Sequence, residues 1–315
     1  MPDEVPTILT GRLRRRDWVR VTRGAHRPCD VDDEFVADLH AWTAVLPTGS
    51  VFTHLTAARV WGWWLPPLPE DAPVFAATVV GRTASTRPGV VVTRHKTQLA
   101  HADREGLRVA RPAEVLLACA RDVGVIDLVV MVTSAVRNGD CTVEDLSSVA
   151  ASSRRGSRRL REAISLMEVR CESAWEVVLR LFHVSCEIDV EAQHEVIADD
   201  GQFVARGDLW LVGTRTLHEY DGSDHLRKRQ QRKDLKRSTR LGHSEWIRRG
   251  YTSQDVISQA IVILRDADES LGREHRAERV RAWHRLLRES LFTPAGTEIF
   301  RRRLGLTVPS AELGA

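Results

Sequence analysis

The chain has 315 residues, 43% of them apolar and 28% charged, with a formal net charge of +3. That composition excludes a disordered chain, and no apolar run approaches the roughly 18–20 residues that a membrane-spanning helix needs. The length suffices for one large domain or, in better accord with ordinary domain sizes, two.

The N-terminus, Met1 to Pro6, lacks the basic and apolar regions of a secretory signal, so a cytoplasmic location and no membrane partner are expected. Cys29, Cys119, Cys141, Cys171 and Cys186 are odd in number and include no Cys-x-x-Cys pair. They read as buried free thiols, not as a zinc site or a disulfide framework. Charge is unevenly spread. Between Leu226 and Arg249 lie Arg227, Lys228, Arg229, Arg232, Lys233, Lys236, Arg237, Arg240, Arg248 and Arg249, against only Asp234 and Glu245. A second cluster joins Arg154, Arg155, Arg158, Arg159 and Arg161. Such density suits a polyanion bound with counterion release; the competing reading is a solvated helix face.

In chain order, Trp18–Gly24 reads as a strand that stops at a turn. From about Asp33, Phe35, Leu39, Trp42 and Leu46 recur at helical spacing until Pro47 and Gly49. Val74–Val80 and Val90–His95 read as the two strands of a hairpin, with Arg87-Pro88-Gly89 at its turn. Pro112 opens a helix through Leu116 and Cys119. A further helix from about Val125 ends at Asn138-Gly139, and Thr142-Val143-Glu144-Asp145 resembles a capping box. Ser152–Ser157 is linker-like. Domains are therefore expected over 1–160 and 161–290, with 291–315 an irregular tail.

In the second half, Glu176 and Arg180 share a face of a helix expected from about Leu160 to Val184. A strand, His194–Ala198, follows. If Gly213-Thr214 is a two-residue hairpin loop, Val212 faces Arg215, and counting outward sets Asp208 opposite Glu219. Opposed residues share a sheet face, and Asp221, two residues beyond Glu219, points the same way. Three such carboxylates repel one another unless a cation sits among them. Hard oxygen ligands suit Mg²⁺ or Mn²⁺, which can activate a water at a phosphodiester. The plainer alternative pairs Asp208 with Arg206 or Arg215 and makes Asp221-Gly222 a simple turn. A one-residue slip would send Asp208 to the other face.

Ser173-x-x-Glu176-x-x-x-Arg180, Gln193, Gly207-Asp208-Leu209-Trp210, Glu219-Tyr220-Asp221-Gly222-x-x-His225 and Lys233-Asp234-x-x-Arg237 occur in that order. From about Cys171 to Ile261 the set resembles the actinobacterial endonuclease-like domains related to very-short-patch-repair endonucleases, of the PD-(D/E)XK nuclease superfamily. The resemblance implies an α/β restriction-endonuclease-like domain with a mixed central sheet. It also implies Asp208 and Glu219 as metal ligands, Glu176 as a helix carboxylate and Gln193 as a strand residue near the site. The superfamily lysine two residues after the second acid is replaced here by Asp221, and His225 is a candidate base or phosphate contact in its stead. Arg227, Lys228, Arg229, Arg232, Lys233, Lys236 and Arg237 become the expected DNA contacts.

In the first half, Trp18–Gly24, Thr53-His54-Leu55-Thr56-Ala57-Ala58, Trp61-Gly62 and Gly106–Pro112 resemble the type IV abortive-infection antitoxin family, implying an α+β domain. Such antitoxins usually begin with a winged-helix unit, but only a short stretch precedes the strand at Trp18. Helix packing by Thr56–Ala58 and Trp61 is accordingly expected in preference to DNA contact. Three functions remain: a Mg²⁺- or Mn²⁺-dependent DNA endonuclease; a non-catalytic antitoxin-like regulator that binds nucleic acid or a protein partner; and a protein whose arginines serve solubility alone. Neither a phosphate-binding loop nor a dinucleotide glycine pattern is present.

Overall fold

A computed structural model describes residues 6–13, 16–81, 87–197, 201–222 and 245–306. His225 and the basic stretch from Arg227 to Arg240 lie outside the described residues. The first half contributes β1 (Leu9–Thr10), β2 (Trp18–Thr22), β3 (Ala25–Pro28), α1 (Glu34–Thr43), β4 (Val51–Phe52), α2 (His54–Val60), β5 (Val74–Val79), β6 (Val90–His95), β7 (His101–Arg104), β8 (Leu107–Ala110) and α3 (Pro112–Cys119). Then follow α4 (Val125–Arg137), α5 (Val143–Ala150), α6 (Ser157–Leu166), α7 (Ala174–Ser185), β9 (Val190–Ile197), β10 (Phe203–Leu211), β11 (Thr216–Tyr220) and β12 (Ile247–Tyr251). The last helices are α8 (Ser253–Ser258), α9 (Ala260–Ser270), α10 (Val280–Leu287) and α11 (Pro294–Leu304).

The chain forms two compact units, one of residues 1–121 and 140–160, the other of residues 122–139 and 161–315. Among the described residues no helix is long and apolar enough to cross a membrane.

The first unit holds an antiparallel sheet in the order β1-β3-β2 and a mixed sheet in the order β6-β5-β4-β8-β7. Asp33 caps α1 by accepting from the Val36 amide at 3.0 Å, and Pro112 stands at the start of α3, where no amide is needed. Thr142 and Asp145 form a reciprocal capping box on α5. In α2, Thr56, Ala57 and Ala58 are buried, and the Thr56 hydroxyl accepts from the Phe75 amide of β5 at 2.9 Å. These residues therefore do pack a helix on a sheet.

The expected hairpin of Val74–Val80 and Val90–His95 is corrected. Val74 pairs with Val90 and Val79 with His95, so β5 and β6 run parallel. Two valine-rich runs look alike whichever way the second strand is threaded, and only the connection distinguishes them.

The second unit centres on a mixed sheet in the order β12-β11-β10-β9, antiparallel from β9 to β11 and parallel between β11 and β12. Along β10, Ala205, Gly207, Leu209 and Leu211 are buried while Asp208 and Trp210 are half-buried. This period-two pattern marks one face as core. Helix α7 lies on that core face, where His183 meets His218. Helix α4 buries Ile126 and every residue from Leu128 to Ala135, as a helix enclosed on most sides must.

Two further expectations are corrected here. The helix expected over Leu160–Val184 is broken into α6 and α7, because the Ser173 hydroxyl accepts from the Glu176 amide at 3.2 Å and starts a new helix. Within the tail expected to be irregular, Pro294–Leu304 instead forms α11, with Thr293 as N-cap, Pro294 in the first turn and Phe300 buried. Of the cysteines, four are buried as expected, but Cys29 is exposed.

Candidate functional site

The hairpin of β10 and β11 aligns Trp210 with Leu217 and Leu209 with His218, so one step outward Asp208 stands opposite Glu219. The connection is longer than the two residues expected. Thr214 N–H bonds to the Leu211 carbonyl at 3.1 Å, Gly213 has φ +84°, and the strands resume at Thr216. The register survives because both loops share the same midpoint.

At Asp208 the ladder gives way to a side chain. Its Oδ2 accepts from the backbone N–H of Tyr220 at 2.9 Å. Tyr220 lies between Glu219 and Asp221 in sequence, and of the three carboxylates it is Asp208 that takes its amide. Glu219 is 3% exposed. Its carboxylate accepts from Nε of Arg248 on β12 at 2.5 Å, and Nη2 of the same guanidinium reaches Asp221 Oδ1 at 3.3 Å. Parallel pairing of Glu219 with Gly250 sets this geometry. A Cβ on Gly250 would lie 1.7 Å from Asp221 Oδ2, so the carboxylate occupies space that only glycine leaves open.

Glu176 arrives from a different direction. Its helix packs on the His218-bearing face, not over the face that Asp208 and Glu219 share by alternation. Its Oε2 accepts from the Glu172 amide at 2.7 Å and from Gln193 Nε2 at 2.8 Å. Glu176 thus secures the entry to α7 and ties the helix to β9. Gln193 adopts φ +55°, a left-handed conformation that non-glycine residues adopt only under constraint. The twist turns its amide toward Glu176, while the next residue, His194, stacks on Trp210 with ring centroids 4.2 Å apart. Trp246 adjoins both rings. Glu176 and Asp208 both act on the Cys171 thiol, which burial first, and then Glu176, push up to about 12.

Among the described residues no three His, Cys, Asp or Glu side chains converge closely enough to hold a metal ion. Asp208 is engaged by a backbone amide, and Glu219 and Asp221 by a guanidinium. The hydrogen-bond donor that Glu219 and Asp221 share is Arg248, which sequence reasoning counted in the basic stretch suited to a polyanion. Its neighbour Arg249 is likewise paired internally, with Asp266 and Glu269 at 3.0 Å each. The alternation of Arg248 and Gly250 along one strand was the available signal, but only strand order could attach it to Glu219.

On the core side, His183 Nδ1 donates to the Leu179 carbonyl at 2.8 Å, which leaves Nε2 to accept from His218 Nδ1 at 2.9 Å. Burial lowers the His183 pKa to about 4 and drives that of His218 down as well. Both rings are neutral at pH 7. Tyr251 O–H donates to Asp266 at 2.9 Å beside them.

No family model, curated protein or solved structure matches this chain.

Proposed function

We propose that the second unit is a restriction-endonuclease-like nuclease unit of the very-short-patch-repair type that binds Mg²⁺ or Mn²⁺ and hydrolyses DNA phosphodiesters. The observation behind this reading is the β10–β11 register, which sets Asp208 opposite Glu219, together with the single guanidinium of Arg248 that Glu219 and Asp221 share. The donor set is all oxygen and anionic, which suits a hard divalent ion. Such an ion supplies Lewis acidity and a water acidic enough to ionise near neutral pH.

In this reading Asp208, Glu219 and Asp221 would hold the ion if Arg248 released its two carboxylates, and the freed guanidinium would then be a phosphate contact. Glu176 fixes Gln193 beside them. His225 serves as base or phosphate contact, and the cations from Arg227 to Arg237 follow the DNA backbone. The half-buried rings of Trp210, Trp246 and His194 lie on the Asp208 side and offer stacking surface.

One observation favours a second reading. A guanidinium that already neutralises Glu219 and Asp221 is what a nuclease fold without turnover would keep. The chain would then act as an antitoxin-like regulator. Cleavage assays separate the two. With Mg²⁺ or Mn²⁺, the wild type is expected to nick duplex DNA, and Asp208→Ala is expected to abolish nicking while circular dichroism stays unchanged. Cleavage retained in the variant would remove Asp208 from the site; no cleavage by the wild type on any DNA form would favour the regulator.

A further inference from the structure

The first unit contains a cleft of about 160 Å³, bordered by His54 at the start of α2, His95 at the end of β6, Glu114 in α3, Arg121 just after α3, and Arg154 and Arg155 between α5 and α6. It unites two features that the proposed nuclease leaves unused, the Thr53-His54 motif and the second arginine cluster. We propose that this cleft is a binding site for a phosphate-type oxyanion, held chiefly by Arg121 with Arg155 at its rim.

Charge is the first ground. Three guanidiniums border the cleft against one carboxylate, Glu114, and Arg154 already engages that carboxylate through two bonds of 2.7 and 2.6 Å. Among the described residues neither Arg121 nor Arg155 has a carboxylate partner. Arg121 is nevertheless fixed in place. Its Nε donates to the Ala118 carbonyl at 3.2 Å, and its Nη2 donates to His54 Nε2. Both acceptors are neutral, so the guanidinium is oriented without being discharged. A guanidinium held this way keeps donors and charge for an incoming oxyanion.

His54 is built for the acceptor role. It is 3% exposed and stacks on Phe75 with centroids 4.9 Å apart. Burial, then Arg121 and His95, lower its pKa to about 3, so its ring stays neutral and can accept from Arg121. Its backbone sits at φ +51°, a constraint that recurs where geometry serves binding. The positive field extends to His95, whose pKa is lowered by burial and then by Arg121 and Arg154. Size is the last ground. The volume is below the roughly 300–1,000 Å³ of pockets that enclose drug-sized ligands, and suits a tetrahedral anion with a few waters.

The test is a titration of inorganic phosphate into the full chain at low ionic strength, followed through the His95 ring by NMR. Saturable binding is expected, with the His95 midpoint moving upward because a bound anion offsets the arginine field. Arg121→Gln should weaken binding by about ten-fold or more, whereas Arg94→Gln, an exposed β6 residue outside the cleft, should leave it unchanged. If Arg121→Gln fails to fold, the exposed Arg155→Gln takes its place, with a several-fold loss expected. A 5′-phosphorylated oligonucleotide and its 5′-hydroxyl twin identify the source. Preference for the phosphorylated strand assigns the site to a nucleic-acid terminus, and binding of phosphate alone assigns it to a small ion. No saturation at tens of millimolar phosphate, or equal binding by both foldable cleft variants with the His95 midpoint unmoved, would overturn the proposal.

Discussion

Replacing Asp127 with alanine is expected to destabilise the second unit by about 3–5 kcal/mol, a range set by leaving buried partners of a charged group unpaired. Asp127 is wholly buried in α4. Its two oxygens accept from Ser290 Oγ at 2.6 Å, from the Leu291 amide at 3.0 and 3.1 Å, and from the Gly124 amide at 3.0 Å. These bonds join the start of α4 to the turn between α10 and α11, where backbones lie so close that a Cβ on Gly124 would sit 2.5 Å from the Glu289 carbonyl oxygen. Alanine would strand three buried donors. Asparagine would not rescue them, because its NH₂ would face an N–H or O–H. Ser290→Ala removes one donor and should cost only about 1–2 kcal/mol. Hydrogen exchange of α4 amides reads the loss locally, which matters in a chain of two units that need not unfold together. Unchanged protection in Asp127→Ala would show that this junction contributes little.

The second large effect is a pH dependence carried by His183. In the folded chain its pKa is lowered to about 4, whereas an unfolded histidine titrates near 6.5. A depressed pKa means that the stabilising contribution is fully present above about 6.5 and is lost as pH falls through 4. The difference corresponds to about 3 kcal/mol. His218 acts in the same direction. Asp127 opposes them, since burial raises its pKa to about 6 and its folded form is favoured by protonation as pH falls. Total stability would blur these effects, so the comparison must isolate one ring. A glutamine side chain does not titrate, and His183→Gln should lose about 3 kcal/mol less, relative to wild type, at pH 4 than at pH 7.5. A pH-independent difference, or an NMR midpoint for His183 near 6.5, would contradict the buried neutral pair.

Much of the carboxylate arrangement was legible in sequence because it depends on a local hairpin. The midpoint at Gly213-Thr214 fixed the register even though the loop was read as too short. Local caps at Thr142 and Pro112 were legible for the same reason. What escaped was non-local. The parallel pairing of β5 with β6, and the attachment of β12 to β11 that delivers Arg248 to Glu219, join segments whose sequences carry no mark of their partner. The face covered by α7 is equally a matter of tertiary packing, and so are the bonds by which Glu176 holds the Glu172 amide and Gln193. The tail is a different kind of miss. Thr293-Pro294 was a readable helix start, outweighed in the reading by Pro294 and Gly296 as breakers.

The most direct test of the proposed nuclease site is calorimetric titration of Mg²⁺ and Mn²⁺ into the wild type, Asp208→Ala, Glu219→Ala and Arg248→Gln. The wild type is expected to bind, both carboxylate variants to lose binding, and Arg248→Gln to bind more tightly, because the competing guanidinium is gone. No binding to the wild type even with DNA present, or binding that both carboxylate variants retain, would contradict the proposed site.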